Sequence, residues 1–290
     1  MRNTFTNMAT QSMLPPIALS SASGSGAVHE HGAHLTSWTP AGNAPVIWMS
    51  ALARFEPGVA IRGGVPIIFP WFGAGRSGDL APAHGFARTR PWHLVESGLD
   101  GDDAVAAFAL EGSATDDPNF PFAFAARYEI RLGQTLRLSL TVENFDEHPF
   151  SYEEALHTYF SIGDVRQVVV EGLDGCSYLD QADGNGPSLK VQSGDVTFTG
   201  ETDRIYAAAG QVRVVDEILG RVLVIDKENS ASTVVWNPWV EKAHRMSDFG
   251  NEEWPSMLCV EGGNLRESAV RLDPGQSHEM RYSVRVEPLS

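Results

Sequence analysis

The 290-residue chain is poor in cysteine and in positive charge, and it has no long apolar run. Its two cysteines, Cys176 and Cys259, form no CxxC metal motif and are too few for a secreted disulfide framework, although a single bridge between them stays open. Lysine and arginine together number 21 against 37 aspartates and glutamates, which leaves a formal charge of −16. That balance disfavours nucleic acid and anionic membranes as partners, because a basic surface normally supplies the attraction. An anionic substrate would need a local group of Arg or Lys to overcome the global field. No segment approaches membrane-spanning length. The weak N-terminal apolar stretch 13–19 is short and holds two prolines, unlike a signal peptide. The expected compartment is the cytoplasm.

Sustained helical periodicity is also missing, and no βαβ rhythm appears. Short alternating apolar runs recur instead between Gly, Asp, Asn and Pro clusters, at 127–132, 135–142, 167–170, 211–215, 221–225, 232–236 and 279–286. The runs 125–132 and 135–142, joined by Gly133-Gln134, predict a hairpin. Helix is expected only in short pieces, one of them near 248–254. The architecture is therefore all-β: a large antiparallel sandwich with sheets packed face to face, framing a groove suited to an extended polar ligand such as a sugar. Residues 1–26 end in Ser20-Ser21-Ala22-Ser23-Gly24-Ser25-Gly26 and read as a flexible tail, with one domain over 27–290.

Three segments hold residues suited to chemistry. In Ser151–Phe160, strand alternation puts Glu153, Ala155, His157 and Tyr159 on one face. Imidazole exchanges a proton near neutrality with little tuning, and a carboxylate such as Glu153 beside it would raise its pKa. Spacing alone does not separate this histidine from a structural one. In Met257–Asn264, Glu261 ends an apolar run before Gly262-Gly263, where it could project into a cleft or lie on the surface before a turn. The stretch Ala60–Gly73, followed by His84-Gly85-Phe86-Ala87-Arg88, is dense in Gly, Pro and aromatics and contains Arg62 and Arg88. Arginine suits bidentate phosphate recognition. The Gly63-Gly64 pair lacks the GK[ST] ending of a P-loop, and neither GxSxG nor a GxGxxG after a strand is present. His29, His31 and His34 do not share one strand face, and the Asp180–Gly186 loop lacks a terminal Glu, so metal binding is not expected at either.

Together these segments resemble the aldose 1-epimerase (galactose mutarotase-like) superfamily, in particular its hexose-6-phosphate mutarotase (glucose-6-phosphate 1-epimerase) branch. The likeness runs in order through Gly32–Trp38, Ile61–Pro66, Pro70–Gly73, His84–Arg88, Thr199–Tyr206, Val235–Trp239, Asp248-Phe249-Gly250 and Val260-Glu261. The resemblance implies a β-supersandwich and an isomerase that interconverts the anomers of a hexose 6-phosphate without metal or cofactor; a monomer is the expected state. It implies His157 as the acid and Glu261 as the base. His84 and Asp203 fall where the family positions sugar hydroxyls and the ring oxygen, and Arg62 and Arg88 fall in the patch that meets the 6-phosphate. An unphosphorylated aldose as substrate, or a non-catalytic carbohydrate-binding role, are the alternatives. Gly262-Gly263 is a departure, since the family more often has Ala or another small residue after the base.

Overall fold

A computed structural model describes residues 15–289. Two eight-stranded sheets dominate it, and every pairing between strands is antiparallel among the described residues. The first sheet runs Ser188–Val191, Ser177–Asp180, Thr202–Tyr206, Ser232–Asn237, Met257–Asn264, Glu154–Leu156, Ile67–Ile68, with Tyr159–Ser161 also pairing to Met257–Asn264. The second runs Val168–Glu171, Val212–Asp216, Arg221–Glu228, Ser277–Pro288, Thr135–Asn144, Phe124–Leu132, Asp103–Gly112, His93–Asp100. The expected all-β sandwich and its hairpin through Gly133-Gln134 are both present.

The two sheets differ in the way their sequences differ. Thr135–Asn144 alternates between buried and more exposed residues, because one of its faces meets the core and the other meets solvent. Met257–Asn264 and Ser232–Asn237 are buried at every position, because both faces of the first sheet are covered. Leu258, Val260 and Gly262 turn toward the second sheet, where the Tyr282 hydroxyl donates to Val260 O at 2.6 Å. Cys259 and Glu261, two residues apart, turn the other way.

The segment expected as a flexible tail is structured where it is described. Ile17–Ser20 and Gly24–His29 form a three-stranded sheet with His34–Pro40. Its glycines serve close approach. A Cβ on Gly26 would lie 2.3 Å from Ser37 O and 2.4 Å from a Leu132 methyl, and one on Gly24 would lie 2.7 Å from Gly133 O. Residues 1–14 of the expected tail lie outside the described residues. The short helix also sits elsewhere than expected: Trp239–Ala243 is the α-helical turn, and only a 3-10 turn at Trp254–Ser256 follows the 248–254 stretch. Among the described residues, no helix is long and apolar enough to cross a membrane.

Candidate active site

The face of the first sheet turned away from the second carries a row of cross-strand neighbours. Tyr159 pairs with Cys259, Cys259 with Trp236, and Trp236 with Asp203. Directly paired residues point to the same side. Glu261 stands one step along the same strand, opposite Val234. Loops from Arg62 to Arg88 complete a cavity of about 410 Å³ over this face. All six residues singled out from the sequence, Arg62, His84, Arg88, His157, Asp203 and Glu261, line it.

His157 sits where its strand is interrupted between Glu154–Leu156 and Tyr159–Ser161, and its N–H donates to Pro66 O at 3.0 Å. Its ring lies on that of Tyr159, centroids 4.8 Å apart and 11° from parallel. The His157 Nδ1 is 3.3 Å from Glu261 Oε1. The approach misses hydrogen-bond geometry, so His157 Nδ1 and both Glu261 oxygens are buried without a partner. Burial drives the imidazole well below its ordinary pKa, and the nearby Arg88 and Arg62 push it further down. Burial likewise raises the Glu261 carboxyl well above the usual range, with Asp203 adding to it. Both directions favour the arrangement with the shared proton on Glu261 and a neutral imidazole over the ion pair.

Glu153 does not fill the role expected of it. Its two oxygens accept from Phe72 N at 2.9 Å and Arg266 N at 2.7 Å, tying the cavity-lining Phe72 loop to the turn at Arg266. Because the strand is broken, alternation does not carry across from 153 to 157. The carboxylate beside His157 is Glu261, and the pKa of His157 is lowered rather than raised.

His84 has a left-handed backbone, φ 65°, and its Nδ1 accepts from Gly73 N at 3.3 Å. Burial, then Arg88, pushes its pKa well down, so the ring is neutral and its proton lies on Nε2. That leaves His84 a hydrogen-bond donor. Asp203 accepts from the Gln181 amide at 2.9 Å and from Lys242 at 3.4 Å, and Lys242 also meets Glu201 at 2.8 Å.

The two arginines are not equivalent. Arg62 donates to the Tyr159 hydroxyl at 2.9 Å and pairs with Asp248 at 3.2 Å, so its guanidinium is largely engaged. Arg88 donates one Nη to Ala83 O at 2.8 Å, its Nε is buried without a partner, and burial lowers its pKa to about 10. The Gly63-Gly64 pair aims Arg62. Their φ values are 102° and 68°, and a Cβ on Gly64 would lie 2.3 Å from His34 Nε2. His34 itself bonds Gly63 O at 2.9 Å and, fully buried, is pushed down to about 3.

Lys242, Gln181 and Trp236 also line the cavity and were not singled out from the sequence. Lys242 is one of only three lysines in the chain, a scarcity that could have drawn attention to it. Three cations line the cavity, but Arg62 pairs with Asp248 and Lys242 with Glu201 and Asp203, which leaves Arg88 as the lining cation without a carboxylate partner among the described residues. Arg88 is the local positive charge that an anionic ligand would meet in so acidic a chain. A larger groove of about 460 Å³ lies on the outer face of the second sheet, but Arg131 and Arg281 there pair with Glu129, Glu228 and Glu279. It has little unpaired charge to offer a ligand. Among the described residues, His157, Cys259 and Glu261 form the one grouping with metal-donor spacing, their donor atoms all within 4.8 Å.

The aldose 1-epimerase family model matches residues 17–285. A protein of Cenchrus ciliaris provisionally named glucose-6-phosphate 1-epimerase is 36% identical, with 91% of this chain and 82% of that protein covered. A protein of Escherichia coli K12 with the same provisional name is also 36% identical, with coverage of 88% and 84%. A crystal structure from Salmonella typhimurium, provisionally described as a mutarotase, superposes with a TM-score of 0.85 at 29% identity, covering 94% of this chain and 90% of that one.

Proposed function

The chain belongs to the aldose 1-epimerase family, and on that premise we propose that it interconverts the α and β anomers of a hexose 6-phosphate, with glucose 6-phosphate the first candidate. His157 acts as the acid and Glu261 as the base. The observation that carries the reading is the buried pair itself: an imidazole and a carboxyl 3.3 Å apart, neither consumed by the other, beside unpaired positive charge. A protein that only bound sugar would have no use for such a pair.

Anomer exchange needs one proton moved off the anomeric hydroxyl and one onto the ring oxygen. Ionised Glu261 takes the O1 proton while protonated His157 gives its proton to O5. The C1–O5 bond breaks and C1=O1 forms. At the open-chain stage Glu261 is therefore a neutral acid and His157 a neutral base. Rotation about C1–C2 presents the other carbonyl face. His157 then recovers the proton from the C5 hydroxyl as that oxygen attacks C1, and Glu261 returns its proton to O1. The pair holds one proton throughout, so the burial that favours the neutral arrangement stabilises the open-chain stage.

Substrate charge helps the first step. Burial is the main cause that holds the imidazole neutral and Arg88 adds to it; a phosphate beside Arg88 offsets that added part, and so eases protonation of His157. The His84 donor and the Asp203 acceptor suit hydroxyls or the ring oxygen of the sugar. A phosphorylated sugar is a charged metabolite that does not cross membranes, which fits a cytoplasmic enzyme.

Arg88→Ala separates a phosphosugar enzyme from one for free aldoses better than Arg62→Ala does, because Arg62 also anchors Tyr159 beneath His157. Exchange between anomers, followed by NMR, is expected to lose about 10–100-fold in kcat/KM for glucose 6-phosphate with little change for glucose, as for a lost charge-assisted hydrogen bond. Equal losses on both sugars would refute the phosphate assignment. A wild-type rate no faster than buffer would refute the enzyme reading.

A further inference from the structure

The proton-transfer pair has a third neighbour that the reaction does not need. Cys259 lies two residues before Glu261 on the same strand and shares its face, directly opposite Tyr159, whose ring stacks on His157. The His157 imidazole, the Cys259 sulfur and the Glu261 carboxylate lie within 4.8 Å of one another, all buried. His157 Nδ1 and both Glu261 oxygens lack any partner. We propose that these three side chains form a binding site for a zinc-like divalent cation at the floor of the cavity, and that its occupation by Zn2+ shuts the enzyme off.

The donor set selects the ion. Thiolate, imidazole and carboxylate together suit zinc, whereas Mg2+ and Ca2+ prefer oxygen alone. Bonds of about 2.0–2.1 Å to nitrogen and oxygen in a tetrahedron put those ligand atoms roughly 3.3 Å apart. The His157–Glu261 separation is 3.3 Å, so that edge is already formed. Only the sulfur has to draw in. His157 and Glu261 line the cavity while Cys259 lies buried behind them, so the fourth position would be reached from the cavity by water or a sugar oxygen, as at three-ligand zinc sites.

Charge also balances. Without metal the trio carries a thiol and one proton shared between His157 and Glu261. Binding Zn2+ releases both protons and leaves the net charge unchanged at zero. Arg62 and Arg88 near the site therefore meet no added positive charge, and the buried carboxylate and thiolate gain a counter-charge they otherwise lack. A metal bound to Nδ1 and to a Glu261 oxygen takes the electron pairs that proton transfer uses. Inhibition follows, in competition with the sugar.

The inhibitory consequence rests on the acid/base reading above, but the site itself can be tested without substrate. The full chain, stripped with EDTA, is titrated with ZnCl2 alone against a chromophoric chelator, and bound metal is counted by atomic emission. A single tightly held zinc per chain is expected, and Cys259→Ala should weaken it by about tenfold or more. Glu261→Gln, read by binding alone, should weaken it likewise and covers the case in which the cysteine variant fails to fold. In the NMR assay, wild-type exchange should fall in step with zinc occupancy, return with EDTA and ignore Mg2+, while Cys259→Ala keeps its basal rate and escapes. Absence of stoichiometric zinc, or affinity untouched in both variants, overturns the site. Cysteine-dependent zinc binding by a protein with no anomer exchange would uphold the site and overturn the proposed activity instead.

Discussion

His157 Nδ1 and Glu261 Oε1 stand 3.3 Å apart inside the cavity, and neither has a hydrogen-bond partner. Orphaned buried groups of this kind cost stability, typically about 1–3 kcal/mol each. The fold retains two of them side by side. The expected outcome is that His157→Asn and Glu261→Gln each lower kcat by about 10²–10⁴-fold while leaving sugar-phosphate affinity, measured by calorimetry, nearly intact. The double variant should be little worse than either single one, because both act in one proton relay. Additive losses would argue for two independent roles.

The activity requires one proton on the pair. Acidification adds a second proton, to His157, and alkali removes the only one, from Glu261. Burial lowers the first of these pKa values and raises the second, so the active range widens on both sides of neutrality. A plot of kcat against pH should show a broad neutral plateau. A narrow optimum within the ordinary titration range of Glu and His would contradict the assignment.

Lys227 is a partly buried lysine without a carboxylate ion pair among the described residues. Its ammonium donates to Ala208 O at 2.9 Å and to the Thr233 hydroxyl, bridging the two sheets. Burial lowers its pKa from 10.5 to about 8. Between those values the unfolded chain holds the proton and the folded one does not, so stability rises with pH across that window and carries its full penalty below it. Lys227→Met should raise stability near neutrality by up to about 3 kcal/mol and flatten the alkaline slope of Tm. No new orphan arises, since the Thr233 hydroxyl already donates to Ala208 O at 2.9 Å. A lower Tm at pH 7 would show that the cross-sheet bonds outweigh the burial of charge.

Gly26→Ala tests whether the N-terminal sheet belongs to the core. The added methyl meets backbone at Ser37 O, which cannot swing aside as a side chain would. A loss of about 1–3 kcal/mol in denaturant unfolding is expected. An unchanged midpoint would mean that this strand detaches without consequence.

Much of the fold was legible along the chain wherever one face of a strand meets solvent. Thr135–Asn144 announces itself by alternation, and Gly133-Gln134 marks its turn. Ser20–Gly26 misled because small residues have two opposite uses. They loosen a linker, and they also let backbones approach, and composition does not say which. The Glu153–His157 alternation failed for another reason: the strand is interrupted at His157, where its N–H leaves the ladder for Pro66 O.

The sequence by itself determined the sheet-rich architecture, the acidity, and the six polar residues that the cavity gathers from four separate stretches. It determined them because periodicity is local and because motif order follows the chain. Tertiary structure alone decided how those residues are used. Pairing Met257–Asn264 between Ser232–Asn237 and Tyr159–Ser161 set Cys259, Trp236 and Asp203 in one row. It also engaged Arg62 with Asp248, left Arg88 less constrained, and buried His157 and Glu261 together. Burial and proximity between distant segments set proton affinity, and neither quantity exists until the sheets close.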